Sequence, residues 1–382
     1  MEDSKMLLAA SLAVVLVVVF LLKLKSSLLA KPKPNLPPGP WTLPVIGSIY
    51  HLVRSPSIHR AMRGLARKHG PLMSLRLGEV RAVRSCSTLL PRRRPRVRAL
   101  RRAVAPAAQG LRRELLSAAR VLSFRRVREE EVARLTGGGG GAGVDLTKII
   151  ACFVNDTFVT ESVGGVCKQQ DEYLDAFGTA VRQTSGLSIA DLFPSSRITR
   201  LLAAAPRKAL ACRNKIQQII EEKKAEAMER GDDAELEGFL GVLLRLQKDG
   251  SMPIPLTRET ILTYLINGGS ETSSTVLSWC MTELVWSPAV MAKAQAEVRE
   301  AFKGKHTITE QDLEGLSYLH MVIKETLRLN APVPLLLPRM CRETCKVMGY
   351  DIPKGTAVFI SVWAICRDPR YWDDPEEFKP ER

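Results

Sequence analysis

None of the eight cysteines stands in a Cys-x-x-Cys pair with another, so the spacing on which most structural metal modules are built is absent. Cys341 and Cys345 are four apart and would share a face if that stretch were helical, but no histidine lies near them and no metal site is assigned. Acidic residues are also in short supply: 56 Lys and Arg against 40 Asp and Glu leave a formal charge of +16. Such an excess ordinarily points to nucleic acid or an anionic surface, and its distribution removes that reading. Residues 81–113 hold eleven arginines and no acid, and the rest of the chain is close to balance. The same block has no Trp, Tyr, Phe, Ile or Lys and no periodicity that would bury a face. It is read as an atypical basic insert of frame-shifted or mis-spliced origin, and no nucleic acid is assigned as partner.

What the chain does have is enough apolar material, 45% of 382 residues, for a substantial core. Met6 to Leu22 is apolar except for Ser11 and long enough to cross a hydrocarbon layer with snorkelling flanks. Lys23, Lys25, Lys31 and Lys33 follow it where a cleaved leader would have small residues, so a retained anchor is expected with the body on the cytosolic side. The organisation expected is a membrane anchor over 1–30, a stiff proline-rich hinge over 31–47 and one large domain over 48–382. Trp41, Leu43, Val45 and Ile46, just past the prolines, are expected to pack on that domain.

Leu72 to Leu77 alternates apolar and polar residues, the pattern of a half-buried strand. Helical periodicity covers 57–68, 114–134, 171–184, 206–230, 235–248, 258–285, 288–302 and 318–329, and short strand patterns recur only at 344–348 and 357–362. A mainly α architecture with a small β-sheet portion is therefore predicted. Gly138, Gly140 and Gly143 match a dinucleotide fingerprint in letters, but they follow a charged helix rather than a strand, which removes the match.

Gly268 and Gly269 interrupt a long apolar helix just before Ser270-Glu271-Thr272. Each glycine costs about 1 kcal/mol against alanine there. Two readings stay open on local grounds: a groove that admits a flat cofactor beside a proton-relaying acid and alcohol, or a packing notch with Glu271 solvated. Further on, Glu325 and Arg328 lie one turn apart on an apolar helix and can pair. They are followed in order by Pro332, Pro334, Leu335-Leu336-Leu337-Pro338-Arg339, Ile352-Pro353-Lys354-Gly355-Thr356, Asp368-Pro369, Trp372, Pro375-Glu376-Glu377-Phe378 and Pro380-Glu381-Arg382.

That ordered series resembles the cytochrome P450 family, of the plant type anchored in the endoplasmic reticulum, over residues 1–80 and 114–382. The resemblance implies a P450 fold behind a transmembrane helix, single-pass in the endoplasmic reticulum membrane, and haem (iron protoporphyrin IX) as cofactor. It also implies monooxygenation of a small lipophilic substrate, such as a terpenoid or other specialised metabolite, with O2 and electrons from NADPH-cytochrome P450 reductase. By resemblance Gly268-Gly269-Ser270-Glu271-Thr272 corresponds to the oxygen-activation motif. Glu271 and Thr272 would act catalytically in a proton relay, with Gly268 and Gly269 against the cofactor. Glu325, Arg328 and Arg382 would form a buried structural network, and Arg339 would face a haem propionate. The family holds iron through a cysteine in a loop Phe-x-x-Gly-x-Arg-x-Cys-x-Gly downstream of Pro-Glu-Arg. None of Cys86, Cys152, Cys167, Cys212, Cys280, Cys341, Cys345 and Cys366 has that context. The chain is accordingly read as an incomplete catalytic domain that is inactive alone; the alternative is a non-catalytic membrane-bound fragment or a mispredicted gene product.

Overall fold

The computed structural model describes residues 34–85, 117–137, 145–163, 192–197, 238–249, 270–305 and 308–382, with a few single positions between them. The expected anchor, the expected helix at 171–184, all but four positions of that at 206–230, and most of the arginine-rich block lie outside the described residues. No helix among the described residues is long and apolar enough to cross a membrane.

Two short helices, α1 (Ile49–Val53) and α2 (Ile58–His69), lead into a hairpin of β1 (Leu72–Leu77) and β2 (Val80–Ser85). The expected strand agrees with β1 residue for residue. Met73, Leu75 and Leu77 share one side of the pleat and enter a core with Leu52, Met62, Ala82 and Phe359, as a two-residue period requires. Leu72 joins Val83 and Ile352 on the other side.

Two expectations near this hairpin are corrected. The atypical block does not begin at 81: Val80–Ser85 is a central strand, with Ala82, Val83, Arg84 and Ser85 all buried. Arg84 is the residue that hides the pattern, because a fully buried guanidinium reads as polar. Its Nη1 donates to the Met62 carbonyl of α2 at 2.7 Å. The hinge does pack on the domain, but through its backbone. The Ser74 amide donates to the Pro38 carbonyl at 2.8 Å and the Gly78 amide to the Ile46 carbonyl at 3.3 Å. A Cβ on Gly39 would lie 2.1 Å from the Ser74 oxygen, so only glycine permits the approach. Trp41, Val45 and Ile46 are left exposed.

The helical part follows as α3 (Ala118–Ser123), α4 (Arg125–Gly137), α5 (Leu146–Val163), α6 (Phe239–Asp249), α7 (Ser270–Trp286), α8 (Pro288–Ala301) and α9 (Ser317–Leu329). A single helix was expected over 114–134; the chain instead breaks at Phe124, whose backbone (φ −89°, ψ 1°) lies off the helical basin. Helix α7 lies against α5, α8 and α9, and Cys280, Leu284, Ala294, Tyr318 and Val322 form its core with α8 and α9. After α9 come β3 (Arg339–Met340), β4 (Cys345–Val347), β5 (Tyr350–Ile352), β6 (Ala357–Ile360) and the short α10 (Val362–Ile365). Strand β6 pairs in parallel with β2 and antiparallel with β3, giving the order β1-β2-β6-β3, while β4 and β5 form a separate hairpin. A mainly helical body with a small sheet is thus what the described residues form. Cys341 and Cys345 do not share a helix: Cys345 opens β4 and Cys341 precedes it.

Candidate functional site

Helix α9 carries a buried polar cluster. Glu325 and Arg328 are each 4% exposed at the side chain on a helix whose Tyr318, Val322, Thr326 and Leu329 are also buried. One turn of spacing lets the guanidinium meet the carboxylate edge to edge: Nε to Oε2 at 2.7 Å and Nη2 to Oε1 at 2.8 Å. Such a bidentate pair is the strong form of the contact.

The pair reaches beyond its helix. Arg328 Nη1 donates to the carbonyls of Cys366 at 2.6 Å and Pro375 at 2.8 Å, and Nη2 donates to that of Glu377 at 3.0 Å. Its plane lies over the Trp372 ring at 5.0 Å. Glu325 Oε1 accepts from the Lys379 amide at 3.0 Å and meets Arg382 Nε at 2.9 Å. Arg382 in turn donates to the carbonyls of Asp373, Asp374 and Glu377. The structure therefore brings Glu325, Arg328 and Arg382 together, and the irregular segment 366–382 is folded around them. Burial alone would raise the Glu325 pKa; the hydrogen bonds from Arg328 and the Lys379 amide, with the charges of Arg328 and Arg382, reverse that and hold it below the usual carboxylate range.

Further contacts that the sequence did not reveal complete this end of the molecule. The residue before α9, Leu316, has no polar side chain with which to cap it. Glu297, from α8, supplies one by accepting from the Tyr318 amide at 2.8 Å and the Leu319 amide at 2.9 Å. Arg63 of α2 and Arg367 both pair with Glu376, and their guanidiniums cover the Trp363 ring at 5.2 and 4.5 Å. No sequence periodicity signals either cluster, because their members lie on separate elements.

The other expected residues are not drawn into this network. Gly268 and Gly269 lie outside the described residues. Glu271 is exposed and Thr272 half-buried in the first turn of α7. Arg339, on β3, is exposed and its side chain makes no hydrogen bond or ion pair among the described residues. Of the described cysteines, Cys280 and Cys366 have thiols pushed up by burial, which holds them protonated. No cluster of His, Cys, Asp and Glu among the described residues could hold a metal ion.

Comparison with known proteins agrees with this architecture. The cytochrome P450 family pattern matches residues 87–382. Dolabradiene monooxygenase of Zea mays is 54% identical over all of this chain and 83% of its own length. Zealexin A1 synthase, also of Zea mays, is 53% identical over the same shares. Ent-cassadiene hydroxylase of Oryza sativa subsp. japonica is 51% identical, again across the whole of this chain, and is covered over 82% of its length. With the family pattern over most of its length and relatives this near along all of it, the chain belongs to the cytochrome P450 family of haem-dependent monooxygenases.

Proposed function

We propose that the enzyme to which these residues belong inserts one oxygen atom of O2 into a small lipophilic terpenoid, taking electrons from NADPH-cytochrome P450 reductase at the endoplasmic reticulum membrane. The observation that carries the reading is the Glu325–Arg328–Arg382 network, which fixes segment 366–382 through main-chain carbonyls. The substrate class rests on the names of the relatives, which are those of terpenoid oxygenases in cereals. The membrane assignment rests on the apolar run Met6–Leu22 and the lysines after it.

Haem supplies the oxygen activation in this family, and the residues here fit it unequally. Arg339 suits a propionate: it is exposed, lies on the sheet and makes no ion pair among the described residues, and a guanidinium matches a carboxylate in two places. Glu271 and Thr272 lie side by side at the start of α7, where an acid and an alcohol can pass a proton. Iron in this class takes a thiolate, whose donation favours O–O cleavage, and for that the donor set does not fit. Cys280 is packed into the core between α7, α8 and α9, Cys341 and Cys345 are engaged with each other, and no cysteine of the chain has the family's loop context. We therefore propose that these 382 residues alone do not oxygenate substrate.

A carbon monoxide difference spectrum of the expressed chain, reconstituted with haem, tests this: no thiolate-type Soret band is expected, and its appearance would overturn the claim. For the substrate class, transcript carrying an in-frame cysteine loop beyond codon 382 is expressed with reductase and NADPH and offered terpenoid olefins. Oxygenated terpenoid is expected. Turnover confined to other lipophiles refutes the assignment.

A further inference from the structure

Cys341 and Cys345 present their sulfurs to each other at 3.7 Å. We infer that they form an oxidisable dithiol site that closes to an intrachain disulfide on exposure to a peroxide.

The backbone at both ends is pinned by independent contacts. The Cys341 amide donates to the Thr356 carbonyl at 2.8 Å, and the Gly355 amide donates to the Cys341 carbonyl at 2.7 Å. Cys345 is fixed opposite Ile352 in the β4–β5 ladder. Between them Arg342, Glu343 and Thr344 form a short exposed turn, held to the following loop by the Lys354 amide on Thr344 Oγ1 at 3.1 Å. Closure brings the sulfurs from 3.7 Å to a bonding distance of about 2.05 Å. Both cysteines are half-buried rather than sealed. One wall is the small apolar cluster of Leu72, Val83 and Ile352; the other is solvent, so a peroxide has access.

The chemistry balances with the peroxide as oxidant. One thiolate attacks the O–O bond, forming a sulfenic acid and releasing hydroxide, which takes the thiol's proton to become water. The second thiol then displaces the sulfenic oxygen, which leaves as a second water with its proton. Two thiols lose two electrons and two protons, and the peroxide is reduced to two waters. Because the bridge encloses only the three residues between the cysteines, it removes little chain entropy from the unfolded state. The bond is thus readily reopened by a small thiol, as befits a reversible modification rather than a structural staple.

The sequence provides a clean readout. Trypsin cuts after Arg339, Arg342 and Lys346, so Cys341 falls on the peptide Met340–Arg342 and Cys345 on Glu343–Lys346. These two travel together only if a disulfide joins them. The full chain is treated with hydrogen peroxide, quenched by alkylation, digested and weighed, with a parallel sample denatured in urea before oxidation. The cross-linked pair is expected to form roughly tenfold faster in the folded chain, the advantage of held proximity, and to vanish on treatment with glutathione. Cys345→Ser, a near-isosteric change, should replace the cross-link by a dimedone-trappable sulfenic acid on Cys341. Peptides that stay separate after peroxide treatment overturn the inference. So does a cross-link that forms equally fast in urea, since the fold would then contribute nothing.

Discussion

Replacing Glu325 by Gln removes one negative charge from a place where two guanidiniums converge and water is excluded. Arg328 would keep its three carbonyl partners, but its bidentate acceptor would become an amide that must aim an NH2 group at one of the cations. Breaking a buried charge network from the inside in this way costs about 3–5 kcal/mol, because the partners stay buried and unmatched. Arg382→Met is milder. The Arg382 side chain is 16% exposed, so water screens part of its charge, and its loss leaves Glu325 still paired with Arg328. A cost of about 1.5–3 kcal/mol is expected, that of hydrogen bonds made by a charged group. Urea titration followed by tryptophan emission reads both, since Trp372 lies on the Arg328 guanidinium. In the double variant the two effects should not add, the coupling being about 1–2 kcal/mol for residues in one network. Equal costs for the two single variants, or strict additivity, would refute the view of Glu325 as the hub. The pH dependence has a fixed sign. The folded-state pKa of Glu325 lies below its unfolded value, so its contribution is complete above the ordinary carboxylate range and fades as pH falls through the folded value. In Glu325→Gln that acid-side loss should be smaller.

Gly64 sits within α2 with open space where a Cβ would be, so Gly64→Ala should stabilise the fold by about 0.5–1 kcal/mol, whereas Gly39→Ala, driven into the Ser74 carbonyl, should destabilise it; thermal melts of the two variants must move in opposite directions. Glu297→Ala removes the borrowed cap of α9 and should cost about 0.5–2 kcal/mol in a urea titration, with Glu297→Gln retaining part of it. Leu75→Ala opens a cavity beneath the sheet and should cost about 2–5 kcal/mol by the same measurement. The Tyr318 phenol, pushed up to about 12 by burial and by its hydrogen bond to Glu381, stabilises the fold below its ordinary pKa of about 10 and less so as pH rises from there; Tyr318→Phe should flatten that alkaline decline in a pH series of melts.

How much of this could be read from the residues depended on whether the signal was local. The alternation of Leu72–Leu77 depends only on neighbours in the chain, and the strand has those bounds in the structure. The pairing of Glu325 with Arg328 is likewise written in a one-turn spacing, but nothing local says that Arg382 joins them; that expectation came with the family resemblance. Three features escaped because their cause lies elsewhere in the fold. Arg84 breaks the apolar pattern of a buried strand, and the carbonyl that receives it belongs to α2. The cap on α9 comes from a glutamate on the preceding helix. The four-residue spacing of Cys341 and Cys345 suggests a helical face, yet the chain bends between them and enters a strand at Cys345, and the sulfurs meet because a hairpin and a loop hold their backbones.

The grip of Arg328 and Arg382 falls on peptide oxygens at five positions, 366, 373, 374, 375 and 377, and peptide oxygens are the same whatever side chain they carry. The course of this stretch is thus dictated from outside, as a casting takes its form from the mould. Outward-facing side chains along it, such as Asp373 and Lys379, are left open to mutational drift, and a family can vary the charge and chemistry of that surface without redrawing the path beneath it.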